Sequence, residues 1–231
     1  MNRIIAIIPA RSGSKGLKDK NIKELNKKPM IAYTIEAAKK SGIFKDIIVS
    51  TDSREYAEIA IKYGADAPFL RSKELSNDAA SSIDVIIDVL SEMKKLGKEY
   101  NYFMLLQPTS PLRTSQNIKE AYELLVEKEA NAVVSVCETE HSPLLANTLD
   151  ENLSLDNFLD EAKNMRRQDL TFFYRVNGAI YISKVRYFLK FKDFYKEKSF
   201  AYIMDKRESI DIDNYIDFKL AEVLLKEKKA F

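Results

Sequence analysis

Ile4-Ile5-Ala6-Ile7-Ile8-Pro9, followed by Ala10-Arg11-Ser12-Gly13-Ser14-Lys15-Gly16, is the stretch from which the architecture is read. An unbroken apolar run, mostly β-branched and closed by a proline, predicts a strand buried on both faces of a parallel sheet. The loop of small and basic residues behind it leads to a helix. Pro29 opens that helix, Ile31, Ile35 and Ala38 recur at helical spacing as far as Lys40, and Gly42 sits at its stop.

The unit repeats. Ile47-Ile48-Val49-Ser50 reads as a second strand, and Asp52 or Ser53 can cap a helix that runs to about Tyr63 and ends at Gly64. Helices over about 82–96 and 116–128 alternate with strands at 102–106 and 132–136. Strand, helix, strand over the first 137 residues predicts a Rossmann-like α/β fold with a mostly parallel central sheet, right-handed crossovers and helices on both faces. Between about Glu138 and Val176 the periodicity fades, and Gly178-Ala179-Ile180-Tyr181-Ile182 resumes a strand. A last strand at 200–204 precedes Ile210-Asp211-Ile212-Asp213 and a helix over about 215–226. The chain reads as a single domain, 1–231, in which 138–176 is an insertion, a subdomain or an oligomer arm.

Composition narrows the chemistry. With 45% hydrophobic and 31% charged residues, 231 residues suffice for a substantial core. The one cysteine, Cys137, has no partner in the chain, which excludes intramolecular disulfides and Cys-rich zinc frameworks and points to a reducing compartment. The single imidazole, His141, leaves carboxylates as the main metal ligands available, which favours magnesium or calcium over zinc. No apolar run approaches the roughly 20 residues a membrane span needs, and Met1-Asn2-Arg3 enters the first strand without signal-peptide anatomy, so a soluble, cytoplasmic protein is expected. A net charge of +2 does not suggest nucleic-acid binding. Its distribution is skewed, however: residues 1–40 carry ten basic and three acidic groups, leaving −5 on the remainder.

Part of that basic excess lies at the carboxyl end of the first strand, where open α/β sheets bind their ligands. Gly13, Gly16 and the serines allow backbone amides to approach an anion, and Arg11, Lys15 and Lys20 supply charge, so the loop reads as a phosphate site or as a plain flexible connection. It matches neither G-x-x-x-x-G-K-[ST] nor G-x-G-x-x-G, which argues against a P-loop ATPase and a nicotinamide dehydrogenase. Asp211 and Asp213 would share one face of an extended backbone, a geometry for magnesium with phosphate oxygens; the alternative is that Asp213 caps the last helix. Gln107-Pro108-Thr109-Ser110-Pro111-Leu112-Arg113 leaves a central strand either as a loop presenting Gln107 to the same cleft or as a rigid connection. Ser81-x-x-Asp84 reads as a helix start at which Ser81 or Ser82 caps, or whose amides contact a nucleotide. Arg166-Arg167-Gln168 is solvated surface or a carboxylate clamp, and the aromatic stretch 188–195 reads as core or dimer packing. His141 lacks any motif that would make it a catalytic base.

Taken together, several segments resemble one family, the CMP-sialic acid synthetases, or acylneuraminate cytidylyltransferases. They are Ile8 to Gly16 with Lys20-Asn21, Val49-Ser50-Thr51-Asp52, Leu106-Gln107-Pro108-Thr109-Ser110-Pro111-Leu112-Arg113, Arg167-Gln168, Asn177-Gly178-Ala179-Ile180-Tyr181-Ile182 and Ser209-Ile210-Asp211-Ile212-Asp213, in family order. The resemblance implies a Rossmann-like nucleotidyltransferase that dimerises through the insertion and transfers CMP from CTP to the anomeric hydroxyl of a nonulosonic acid, with Mg2+ as cofactor. It further implies that Ala10, Arg11, Ser14, Lys15, Lys20 and Asn21 hold the triphosphate and that Arg71 and Ser82 lie near the cytidine. Gln107, Arg167, Gln168 and Tyr181 would meet the sugar, and Asp211 with Asp213 the metal, with Arg11, Lys20 and Asp211 as the catalytic set. Some members carry a lysine just after His-x-Pro-Leu; this chain reads His141-Ser142-Pro143-Leu144-Leu145-Ala146, so the implied sugars extend from N-acetylneuraminic acid to relatives such as legionaminic acid. Ketodeoxyoctonate cytidylyltransferases share the chemistry but lack this first-loop pattern. The competing readings are a nucleotidyltransferase for another keto-sugar and a non-catalytic nucleotide-binding protein.

Overall fold

The opening run forms β1, Ile4–Pro9, and its two faces feed two separate cores. The computed structural model describes residues 3–13, 16–77, 80–156, 158–159 and 171–227. Ala6 and Ile8 pack beneath α1 (Met30–Ser41), α2 (Arg54–Tyr63) and α4 (Ser115–Glu127). Ile5 and Ile7 pack against α3 (Ser82–Lys95) and α5 (Val185–Phe191) on the other face. Burying both faces makes the strand central: each fully buried isoleucine contributes roughly 1.5–3 kcal/mol relative to exposure.

The other strands are a two-residue hairpin of β2 (Glu24–Leu25) and β3 (Lys28–Pro29), then β4 (Asp46–Ser50), β5 (Tyr102–Leu105), β6 (Ala132–Glu138), β7 (Tyr174–Lys184) and β8 (Ser199–Ile203). The six-stranded sheet runs β4-β1-β5-β7-β6-β8. β1 pairs in parallel with β4 and β5, and β6 with β8, whereas β7 is antiparallel to both neighbours. Helices do cover both faces of a mostly parallel sheet, but the crossover after β5 does not set β6 beside it. The chain leaves β6 at Glu138 and returns through Tyr174, directly opposite, so β7 slots between β5 and β6. That ladder extends the returning strand to 174–184, beyond the predicted 178–182.

Local signals hold elsewhere to within a residue or two. Gly42 and Gly64 close α1 and α2, and Ser81 with Asp84, like Thr114 with Asn117, forms a reciprocal capping box. α5 is an unanticipated helix that runs into the first half of the aromatic stretch. Phe188 and Phe194 pack on Phe103, ring centroids 4.8 and 5.9 Å away, while Tyr195 is exposed. The last helix, α6 (Tyr215–Glu227), seals a third core through Phe218 and Ala221 against Ile212, Met30 and Leu112.

Candidate active site

A cleft of about 530 Å³ lies beyond the carboxyl ends of β1 and β5, and Arg11, Lys20, Asn21, Gln107, Asp211 and Asp213 all line it. The cationic loop and the acidic doublet touch directly. Lys20 Nζ donates to the Ile212 carbonyl at 2.6 Å and to Asp213 Oδ1 at 3.2 Å. Gly16 makes the approach close: a Cβ there would stand 2.6 Å from the Asp213 carbonyl oxygen. Asn21 closes the loop by donating from Nδ2 to the Arg11 carbonyl at 3.1 Å.

The loop is anchored at both ends. Ser53 is the residue that caps α2, which frees the neighbouring Asp52 to accept from the Ser12 amide at 2.8 Å and from the Ser12 hydroxyl at 2.7 Å. Burial pushes the Asp52 carboxyl upward, but the Ser12 hydrogen bonds, with Arg71 nearby, outweigh it and hold the group below the usual aspartate range. At the far end, the Tyr56 hydroxyl donates to Asp19 Oδ1 at 3.2 Å. Burial and that carboxylate together push the Tyr56 hydroxyl above its ordinary value.

The acidic doublet hangs from buried Ile212, whose amide donates to the Thr109 carbonyl at 2.8 Å. Capping of α6 falls to Asn214, whose side chain accepts from the amides of Ile216 and Asp217 while Asp217 accepts from the Asn214 amide. Asp213 is therefore not the cap and faces the cleft. Burial pushes the Asp211 carboxyl above the usual range, a hydrogen bond from Thr109 opposes the shift, and the Asp213 charge adds to it. Asp211 Oδ1 is buried with no hydrogen-bond partner. A carboxylate oxygen left unsatisfied beside a second carboxylate suits a hard cation whose remaining ligands are phosphate oxygens and water. Among the described residues no group of three or more His, Cys, Asp or Glu side chains could hold a metal alone, so a cation at Asp211 and Asp213 would need further ligands such as phosphate oxygens.

Other expected residues divide. Gln107 lines the cleft from the end of β5, and Gly178, at φ +76°, faces both it and Asp211: a Cβ would lie 2.7 Å from Gln107 Oε1 and 3.3 Å from Asp211 Oδ2. Tyr181 does not line the cleft: it sits in β7 opposite Leu105, its ring tilted by 51° against Phe194 at 5.3 Å, its hydroxyl pushed up to about 12 by burial, with Tyr195 and Asp211 adding. Ser82 lines the cleft at the start of α3 because Ser81 does the capping. Arg71 lines it too, but its guanidinium is bound to the hydroxyl and carbonyl of Ser50, and burial lowers its pKa. Ala10 is in the core and donates its amide to the Ser50 carbonyl, supporting the loop rather than lining the cleft. His141 is exposed and does not line it. Ser14, Lys15, Arg167 and Gln168 lie outside the described residues. The parts played by Asp52 and Thr109 were not anticipated, because each depends on a partner at least 40 positions away.

The fold is that of Rossmann-like nucleotidyltransferases. A solved CMP:2-keto-3-deoxy-manno-octonic acid synthetase complexed with CTP superposes with a TM-score of 0.72 at 15% identity, covering 98% of this chain and 99% of that one. Sequence narrows the class: the model of the Cytidylyltransferase family matches residues 5–230, and the chain belongs to that family. It is 46% identical over 229 residues to the N-acylneuraminate cytidylyltransferase of Escherichia coli O18:K1:H7, covering 98% of this chain and 53% of the relative. It is 38% identical over 230 residues to the CMP-N,N'-diacetyllegionaminic acid synthase of Legionella pneumophila, covering 96% of each. The chain thus spans about half the length of the first relative and nearly all of the second.

Proposed function

We propose that this protein is a cytidylyltransferase that moves CMP from CTP to the anomeric hydroxyl of a nonulosonic, sialic-type acid for cell-surface glycan synthesis. One observation carries the reading: Arg11 and Lys20 meet Asp211 and Asp213 across a single cleft. The relatives' names support the substrate class, with one acting on acylneuraminate and another making a CMP-legionaminic acid.

The sugar oxygen attacks the α-phosphorus, the bond from that phosphorus to the bridging oxygen breaks, and pyrophosphate departs. Charge grows on the leaving group, where Arg11 and Lys20 stabilise it, so the chemistry is mainly positioning and electrostatics. Asp211 takes the proton of the sugar hydroxyl. Asp211 and Asp213 would hold magnesium, which when bound neutralises phosphate charge. Gln107 contacts the sugar, and Arg71 and Ser82 the cytidine side.

The working form is proposed to be a cytoplasmic homodimer. Exposed apolar Leu149, Leu153, Leu155 and Phe172 in the excursion between β6 and β7 support a subunit contact, and the buried, unpaired Cys137 suits a reducing compartment. No helix among the described residues is long and apolar enough to cross a membrane.

Pyrophosphate release tests the activity. It is expected only when CTP, magnesium and a nonulosonic acid are all present, with N-acetylneuraminic and legionaminic acids compared side by side. CTP binding without release on any such sugar would leave a non-catalytic nucleotide binder.

A further inference from the structure

Arg113 ends the loop that begins at Gln107, and it is 2% exposed. Its Nη1 donates to the Ala179 carbonyl at 2.8 Å and to the Gln107 carbonyl at 3.2 Å. Nε and Nη2 are buried without partners, and no carboxylate among the described residues pairs with the guanidinium. Enclosing a guanidinium on two carbonyls alone is unfavourable, and an apolar side chain of similar size would fill the space at lower cost. What the arginine provides instead is a tie between two backbones. Gln107 lines the cleft, and Ala179 follows Gly178, the residue that faces Gln107 and Asp211. Between the ends of the same loop lies Thr109, which holds the Ile212 amide and hydrogen-bonds Asp211.

We propose that Arg113 is a positioning residue for the acceptor half of the cleft: its clamp on the Gln107 and Ala179 carbonyls sets Gln107 against the sugar and the Thr109 loop against Asp211. The inference rests on the cytidylyltransferase reading, and it places no group of Arg113 in contact with substrate. Burial also pushes the guanidinium down to about 9, in keeping with an enclosure that does little to solvate its charge.

Four proteins and a double variant test it: wild type, Arg113→Met, Arg113→Lys, Gln107→Ala, and Arg113→Met combined with Gln107→Ala. Pyrophosphate release by wild type settles the activity independently of Arg113. In Arg113→Met, kcat/KM for the keto-sugar acid is expected to fall about 10- to 100-fold, as for a small misplacement of a reacting group. The KM for CTP should stay within about twofold and the melting temperature should not fall, because a buried charge has been removed. Arg113→Lys, which restores a donor to the carbonyls, should recover part of the loss. In the Gln107→Ala background the Arg113→Met effect should shrink to a few-fold, since the group being positioned is gone. Equal losses toward CTP and sugar, an undiminished effect in that background, or a chain that fails to fold with either substitution would each reduce Arg113 to a structural element.

Discussion

Lys20 and Asp213, separated by most of the chain, stand 3.2 Å apart across the mouth of the cleft, with Lys20 also bonded to the Ile212 carbonyl at 2.6 Å. Lys20 is largely enclosed while Asp213 is exposed, so the pair contributes little stability, but it orients the ammonium before any ligand arrives. Lys20→Ala is therefore expected to lower kcat by about 10²- to 10³-fold with the fold intact, the scale of an oriented contact to developing charge. Steady-state pyrophosphate release measures this; near-normal turnover would remove Lys20 from the chemistry.

Asp211→Asn separates metal from fold. Magnesium activation should be abolished or strongly weakened in a titration of turnover. The opposite sign is expected for stability. Burial raises the Asp211 carboxyl in the folded state, so its ionisation opposes folding once pH passes the unfolded value near 3.9, and more fully above the folded one. Without metal at pH 7, Asp211→Asn should melt no lower than wild type, and any advantage should vanish near pH 3, where the aspartate is protonated in both states. A lower melting temperature at pH 7 would mean that the carboxylate is a net structural bond.

Asp52 holds Ser12, and with it the start of the cationic loop. Its carboxyl lies below the usual range, so the contribution to stability is complete above about pH 4 and disappears as pH falls through the lowered folded value. Asp52→Ala should cost about 1 kcal/mol at pH 7, discounted for partial exposure, and raise the KM for CTP more than that for the sugar. Calorimetry across pH 2–7 together with the two KM values checks both parts. An equal stability gap at pH 2 would contradict the assignment.

Gly178→Ala places a Cβ on a backbone at φ +76° and within 2.7 Å of Gln107 Oε1. The left-handed conformation alone costs roughly 1–2 kcal/mol, or a few degrees of melting temperature at this size. Gln107 must also swing aside, so the sugar KM should rise while the KM for CTP is held. An unchanged sugar KM would show that Gln107 does not contact the acceptor.

Much of the fold was legible because its signals are local. The alternation around β1, the glycines that close α1 and α2 and the Ser81 cap depend on neighbours within a turn or two. The residue types of the cleft, a basic glycine-containing loop and an Asp-x-Asp doublet, were equally visible. That they share one cleft was implied by the family resemblance; the contacts that join them were not visible. The insertion of β7 between β5 and β6 follows from the return of the chain opposite Glu138, a pairing that no period of 2 or 3.6 encodes. Asp213 could be separated from a capping role only when Asn214 and Asp217 were seen to share it.

The amino-acid order alone thus determined most of the long strands and helices, though not α5 or the β2–β3 hairpin, and which loops carry charge, because propensity and hydrophobic spacing act over a few residues. Tertiary structure alone decided that Lys20 meets Asp213, that Asp52 grips Ser12 and that Arg113 is sealed behind Gln107. Those contacts join residues distant in the chain or depend on burial, and both arise only once the sheet has closed.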